Sequence, residues 1–404
     1  MNFMEKVRQD LLPKSLAIGA VAVLLAISQP SAWAADTIKL GLNFTNSGVL
    51  KTQGEGTEVA VDIAVSEINA SGGINGKQIQ LFKYETGSDP KQAVVGTRKL
   101  AEDDKVLAII GPFSSGEAAA AFPVGERLGI VQIPNASSAP GLTKGKAYGF
   151  RLTEDEGKQF IRLLTAMKRN NVPMGNVAVA YASDNRITAL VGKVVMPALL
   201  KKFDANVSEP IGFTVATFDV APQVTKILES KPDVLALAGF GTHAAAFHKE
   251  LKRQGFKGRI IGSQLFADPN ALDSLKAAEG TLFASGYWRT QDAAATNFTN
   301  KFIKGTKAVG MARPFPHHVD AQAYDIVYLL KQVIETAGVT GDPSKLSAER
   351  TTIRDQLAKT VFSGVTGSGT CFDENGDAEL PGYIIEIKNG DWTKFDEFPA
   401  DKCG

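Results

Sequence analysis

Two adjacent serines, Ser114 and Ser115, stand in GPFSSGEAAAAF, residues 111–122, directly after the apolar run VLAII and before helix-forming alanines. A serine where a strand ends and a helix begins can cap the helix, while free first-turn N–H groups face outward. Those amides, together with a hydroxyl, suit a carboxylate. A second loop repeats the arrangement one unit later. In IPNASSAPGL an apolar strand ends at Pro134, and Asn135, Ala136, Ser137 and Ser138 follow before Ala139 and Pro140. The two loops together can bracket one anionic group.

Other chemistries fit less well. A phosphate loop needs a lysine in GK[ST] after its glycines, and GPFSSGEAA has none. A dinucleotide fingerprint is missing after the first strand, because Gly54 and Gly56 follow a loop. A hydrolase elbow asks for a glycine two residues before the serine, which neither Ser114 nor Ser115 has. The four histidines are His243, His248, His317 and His318. His243 and His248 are five apart, a poor spacing for one helix face. The adjacent His317 and His318, if extended, point to opposite faces, so both pairs read as exposed or supporting histidines. DENGD, residues 373–377, lacks the twelve-residue calcium-loop pattern and reads as a surface turn. No catalytic residue, metal or cofactor is expected.

The elements that must position these loops alternate. TIKLGLNF, KQIQLFKYET, VLAIIG and IVQIPN read as strands, with helices over EGTEVAVDIAVSEINASGG, DPKQAVVGTRKLAEDD and GEAAAAFPVGERLG. A second series begins near Glu154. It has strands NVAVAYAS, IGFTVATF, DVLALAG, RIIGSQ and TLFASGYW, separated by helices that include one interrupted by Pro197. Long helical patterns follow in VDAQAYDIVYLLKQVIETAG and ERTTIRDQLAKT, and GYIIEIKNGDWTKFDEF closes the chain as a hairpin turning at NGD. Repeated β/α units mean parallel sheets covered by helices, with loops at the C-terminal strand ends as the binding surface.

At 404 residues the chain exceeds the roughly 250 that one core usually serves, so two α/β lobes are expected. With 44 Lys plus Arg against 43 Asp plus Glu, no charge excess points to nucleic acid. Lys6, Arg8 and Lys14 precede the apolar run LAIGAVAVLLAI. Ala32 and Ala34 then suit cleavage before Ala35, so residues 1–34 read as an export signal. The run is shorter than the about 20 residues of a membrane span. In an oxidising compartment the two cysteines, Cys371 and Cys403, are expected to pair.

The order and spacing of IKLGLNF, DIAVSEINASGGINGKQIQL, VLAIIGPFSSGEAAAA, IPNASSAPGLT, VAVAYASD and FDENGD resemble periplasmic solute-binding proteins of the branched-chain amino acid (Leu/Ile/Val) ABC transporter type. The resemblance spans residues 36–395 or so. It implies a type I periplasmic binding protein: two Rossmann-like α/β lobes with parallel-rich sheets, joined by three crossovers and closing on a small molecule. The expected first lobe is 35–154 plus 288–380, and the second is 155–287 plus 381–404. The expected partners are a small solute and an inner-membrane permease, for a monomer that is soluble in the periplasm after signal cleavage. A ligand-sensing module of the same fold is the alternative.

By the same resemblance, Ser115, with Ser114 beside it, meets the ligand carboxylate. Ala136 offers backbone contacts, Ser138 a hydroxyl and N–H, and Phe240 an aromatic flank. Arg186 falls where an aromatic contact is common. The main departure is Gln264 in IIGSQLF, where amino-acid-binding members carry an acid for the ligand ammonium. An amide cannot neutralise that charge. The departure favours a carboxylate without an ammonium, or an amide-like solute, unless Asp184 or Glu55 supplies the missing charge. Lys51, Tyr84 and Trp288 are further rim or hinge candidates.

Overall fold

The computed structural model describes residues 37–401 apart from Ala312, so the signal segment and Cys403 lie outside the described residues. The first series folds as β1 (Ile38–Phe44), α1 (Lys51–Ala70), β2 (Ile79–Glu85), α2 (Pro90–Arg98), β3 (Ala108–Ile110), α3 (Ser115–Leu128) and β4 (Val131–Ile133). Its four strands form an all-parallel sheet in the order β2-β1-β3-β4, with Leu40 opposite Ala108 and Ala108 opposite Val131. The short strands β3 and β4 are wholly buried, as expected for apolar strands covered on both faces. The chain leaves β3 through Gly111 at φ 101°, where a Cβ would stand 2.0 Å from the Asn43 carbonyl oxygen. Only glycine allows both that angle and that approach.

The second series is α4 (Glu156–Arg169), β5 (Asn176–Ala182), α5 (Arg186–Leu190), α6 (Met196–Lys202), β6 (Asn206–Val207), β7 (Ile211–Phe213), α7 (Ala221–Glu229), β8 (Val234–Ala238), α8 (Gly241–Arg253), β9 (Arg259–Gly262), α9 (Leu272–Leu275) and β10 (Leu282–Ser285). The chain returns with α10 (Ala293–Ala308), α11 (His318–Thr336) and α12 (Leu346–Leu357), which pack into the core of the first sheet. A small antiparallel sheet follows, β11 (Phe362–Gly364), β12 (Gly367–Phe372) and β13 (Ala378–Glu379), and then β14 (Gly382–Lys388) and β15 (Asp391–Phe398). The second sheet runs β15-β14-β10-β9-β8-β5-β6, with β7 also on β5; β14 enters antiparallel to β10. The chain thus crosses between two α/β lobes three times, after β4, β10 and β13. Among the described residues no helix is long and apolar enough to cross a membrane.

Three local differences have simple causes. The strand expected over IGFTVATF stops at Phe213, because the Thr214 amide donates to Thr217 Oγ1 and Thr217 N donates back to the Thr214 carbonyl. That turn leaves Phe218 96% exposed. The helix before Pro197 widens into a π turn over Val191–Val195, so the proline enters where no amide is needed. The segment 362–379, where the sequence marks only DENGD, as a turn, forms the three-stranded sheet.

Candidate functional site

The site is built outward from the start of α3. Ser114 is the N-cap: Glu117 N donates to its Oγ (3.3 Å), and Ser114 N donates to Glu117 Oε2 (2.9 Å), a reciprocal capping box. Glu117 is fully buried and also accepts from the Thr45 and Thr86 hydroxyls, which ties the helix start to the ends of β1 and β2. The Ala118 amide donates to the Ser114 carbonyl. Among the described residues no protein acceptor takes the Ser115 and Gly116 amides, as at the first turn of any helix. Ser115 Oγ accepts from Ala139 N (3.1 Å), which leaves its own proton free to donate.

The second loop is clamped from below. Arg151, with no exposed side-chain surface, donates through Nη1 to the Ser137 and Ala139 carbonyls (both 2.8 Å) and forms a two-pronged pair with Asp377 (both 2.6 Å). DENGD is therefore more than a surface turn, since its last residue anchors the arginine that shapes residues 137–139. Asn135 donates to Thr57 Oγ1 and the Val319 carbonyl, joining this loop to α1 and α11.

Facing these loops is the second lobe. Phe240 caps α8, and its amide donates to His243 Nδ1, so His243 carries its proton on Nε2 toward the Val215 carbonyl. Burial lowers the His243 pKa and holds it neutral. Gln264 opens a single 3-10 turn after β9 and is only 3% exposed. Its Nε2 donates to Glu156 Oε2 at 2.7 Å, and its Oε1 has no partner among the described residues. Glu156, the first residue of α4, is 1% exposed and also accepts from Ser138 Oγ (3.2 Å). Burial raises its pKa, against the lowering by hydrogen bonds from Gln264, Ser138 and Ser263.

Of the two alternatives for His317 and His318, exposed or supporting, exposure is ruled out. They begin α11, and both are buried. His317 Nδ1 accepts from Val319 N, while His317 N donates to Asp320, and the two rings lie 4.1 Å apart. The helix start, rather than a strand, turns both rings toward one side. Burial holds both neutral, His318 down to about 3.

These groups enclose a cavity of about 770 Å³. Of the sequence candidates, Ser114, Ser115, Ala136, Ser138, Phe240 and Gln264 line it together. The side chain of Arg186 lies outside the described residues; its neighbours Asn185 and Ile187 line the cavity. Apolar walls come from Phe113, Phe122, Leu142, Leu190 and Leu265. Neither charge donor considered in place of an acid at 264 reaches it. Glu55 sits 3.7 Å from the Arg313 guanidinium, and Asp184 accepts from Val215 N. Tyr84 bonds Gln92, and Trp288 packs on the second-lobe core. Glu156, Arg151 and the histidine pair were not legible as site residues. An acid in a first helical turn reads as an ordinary complement to the helix dipole, and the Asp377 partner of Arg151 lies 226 residues away.

The fold and this enclosed cleft between two lobes define a binding protein that closes on a small molecule. The periplasmic binding protein family matches residues 37–391, and the chain belongs to that family. A Leu/Ile/Val-binding protein homolog from Brucella suis is 25% identical over 386 residues, 92% of this chain and 95% of its own. An amino acid binding protein of Pseudomonas aeruginosa is 28% identical, covering 93% and 96%. Among solved structures, a branched-chain amino acid transporter substrate-binding protein of Streptococcus pneumoniae, in complex with isoleucine, is 26% identical with a TM-score of 0.71, covering 89% of this chain and 99% of that one.

Proposed function

We propose that this chain is an extracytoplasmic solute carrier. It captures a small carboxylate-bearing or amide-like solute by cleft closure and delivers it to the permease of an ABC importer. One observation carries the reading. The free Ser115 and Gly116 amides, the Ser115 hydroxyl and the 136–138 loop converge at one end of a cavity whose other walls are largely apolar. Donors at a helix start hold a carboxylate, and the apolar walls hold the remainder of the molecule. The relatives' names support the transport role. Gln264 supports a ligand that does not depend on an ammonium, since no carboxylate lines the cavity among the described residues.

Ser115, Ala136, Ser138, Phe240 and Gln264 form the proposed ligand set, with Ser114 as the cap that holds them in place. The proposed lobes are 35–154 plus 288–380 and 155–287 plus 381–404, supported by the sheet membership of their strands. Cleavage after residue 34 releases the carrier as a monomer into the periplasm. There Cys371, buried on β12, pairs with Cys403. Intact mass after alkylation with and without reductant tests that pair, and two labels without reductant would refute it.

Thermal-shift screening of ligand-stripped protein against amino acids, 2-hydroxy acids, simple carboxylates, short amides and urea tests the function. Stabilisation by at least one acid or amide is expected. Strong stabilisation by leucine with none by its 2-hydroxy analogue would overturn the non-ammonium reading.

A further inference from the structure

Glu156 does not line the cavity, yet one of its carboxylate oxygens takes two groups that do. Gln264 Nε2 and Ser138 Oγ both donate to Oε2, at 2.7 and 3.2 Å. Ser138 gives its one proton, and Gln264 gives one of its two amide protons, which fixes the amide with its Oε1 turned away from Glu156. Ser138 is left with the lone pairs of its hydroxyl. Gln264, 3% exposed, is left with an Oε1 that no described residue satisfies. The start of α3 offers the reverse polarity. There Ser115 Oγ is occupied as an acceptor by Ala139 N, so its proton is what it offers. The lining is therefore divided by role, with Ser115 offering a donor and the two groups held by Glu156 offering acceptors.

We propose that Glu156 is a positioning residue that sets ligand specificity: by taking the amide of Gln264 and the hydroxyl proton of Ser138, it makes this wall accept, and so selects a carboxylate that also carries an O–H or N–H donor. The inference rests on the carboxylate reading above and deepens it. Burial makes the selection sharp. An acceptor left unpaired beside a ligand that lacks a donor loses its water partner and gains nothing in return. The aliphatic stem of a donorless acid would satisfy the apolar walls and the start of α3 equally well, so Gln264 and Ser138 can tell the two acids apart.

The test measures affinity by calorimetry for two series of three acids each: leucine, 2-hydroxy-4-methylpentanoate and 4-methylpentanoate; phenylalanine, 3-phenyllactate and 3-phenylpropionate. In the native protein the 2-hydroxy acid of the series that binds is expected to exceed its unsubstituted partner by about tenfold or more. In Glu156→Gln the new amide can meet Gln264 with either oxygen or nitrogen, so the orientation is released. The ratio is then expected to fall toward one, with the melting temperature of the ligand-free variant recorded beside it. Gln264→Met removes the acceptor without touching Glu156 and is expected to lower the ratio in the same way, which keeps the test open if Glu156→Gln does not fold. The exchange variant Glu156→Gln/Gln264→Glu places the acid at the cleft wall and is expected to favour the amino acid of the series. A native ratio near one, or a ratio unchanged in a folded Glu156→Gln, overturns the positioning role and leaves the carrier reading standing. Binding of no acid in either series, with short amides or nothing bound instead, overturns the carboxylate reading and this inference with it.

Discussion

At the residue scale, Ser114 and Ser115 are adjacent and chemically identical, yet the structure gives them different work. Ser114 spends its hydroxyl on Glu117 N, while Ser115 keeps its proton for the cleft. Ser114→Ala is expected to lower unfolding free energy by about 1 kcal/mol through the lost cap, with a small change in affinity. Ser115→Ala is expected to weaken carboxylate binding by roughly tenfold to 150-fold, since a hydrogen bond to a charged group contributes about 1.5–3 kcal/mol. Urea denaturation and calorimetry on both variants check the contrast, and equal losses of affinity would contradict it. The pair was legible in the sequence as a site, because a strand running into serines and then alanines has few other readings. Which serine caps was not legible, since both precede a helix whose first residue is uncertain by one.

At the element scale, the starts of α3, α4 and α11 carry most of the cleft's polarity, and two expectations follow. The first concerns Arg151, whose guanidinium holds the 137–139 carbonyls against Asp377. Arg151→Met leaves a carboxylate and two carbonyls without their donor and is expected to cost about 3–5 kcal/mol in stability, as for other buried pairs broken on one side. Asp377→Asn, which keeps the shape and part of the hydrogen bonding, is expected to cost less; denaturant titration ranks the two. The second concerns pH. His318 is buried neutral, with its pKa lowered from about 6.5 to about 3 by burial. Because the unfolded chain binds that proton near pH 6.5 and the folded chain does not, stability is full above pH 6.5 and falls as pH drops toward 3. One such group accounts for about 2 kcal/mol at pH 5. His317, lowered as well, adds to the effect. Asp320, raised to about 6 by burial despite Arg313, opposes it, because its stability contribution falls as pH rises between about 4 and 6. His318→Asn is expected to flatten the melting temperature between pH 7 and pH 5. A slope unchanged in this variant would refute the assignment.

At the scale of the whole molecule, function depends on two lobes meeting. Asn270 Nδ2 in the second lobe donates to the Thr52 carbonyl in the first at 3.0 Å, across the mouth of the cleft. This bond exists only when the lobes are together, so it stabilises the closed form over the open one. Asn270→Ala is expected to raise the ligand dissociation rate about threefold to tenfold, the effect of a hydrogen bond worth about 1 kcal/mol, while ligand-free melting changes little. Stopped-flow dissociation measures it, and an unchanged rate would show that the contact plays no part in closure.

The alternation of strand and helix, the NGD hairpin and the paired polar loops all follow from local rules, and the sequence by itself determined them. Periodicity, capping serines and turn residues act within a few positions. The same holds for the absence of an acid at Gln264, which is a matter of residue identity alone. What surrounds Gln264 was a tertiary decision. Glu156 lies 108 positions away and reaches it only because α4 and the turn after β9 pack side by side. The histidine pair likewise became cavity-lining rather than exposed once α11 docked against the first sheet. Arg151 became the support of a loop once Asp377 arrived from 226 residues downstream. Burial, pKa and the choice of which proton faces a ligand depend on neighbours in space, and no pattern read along one chain specifies them.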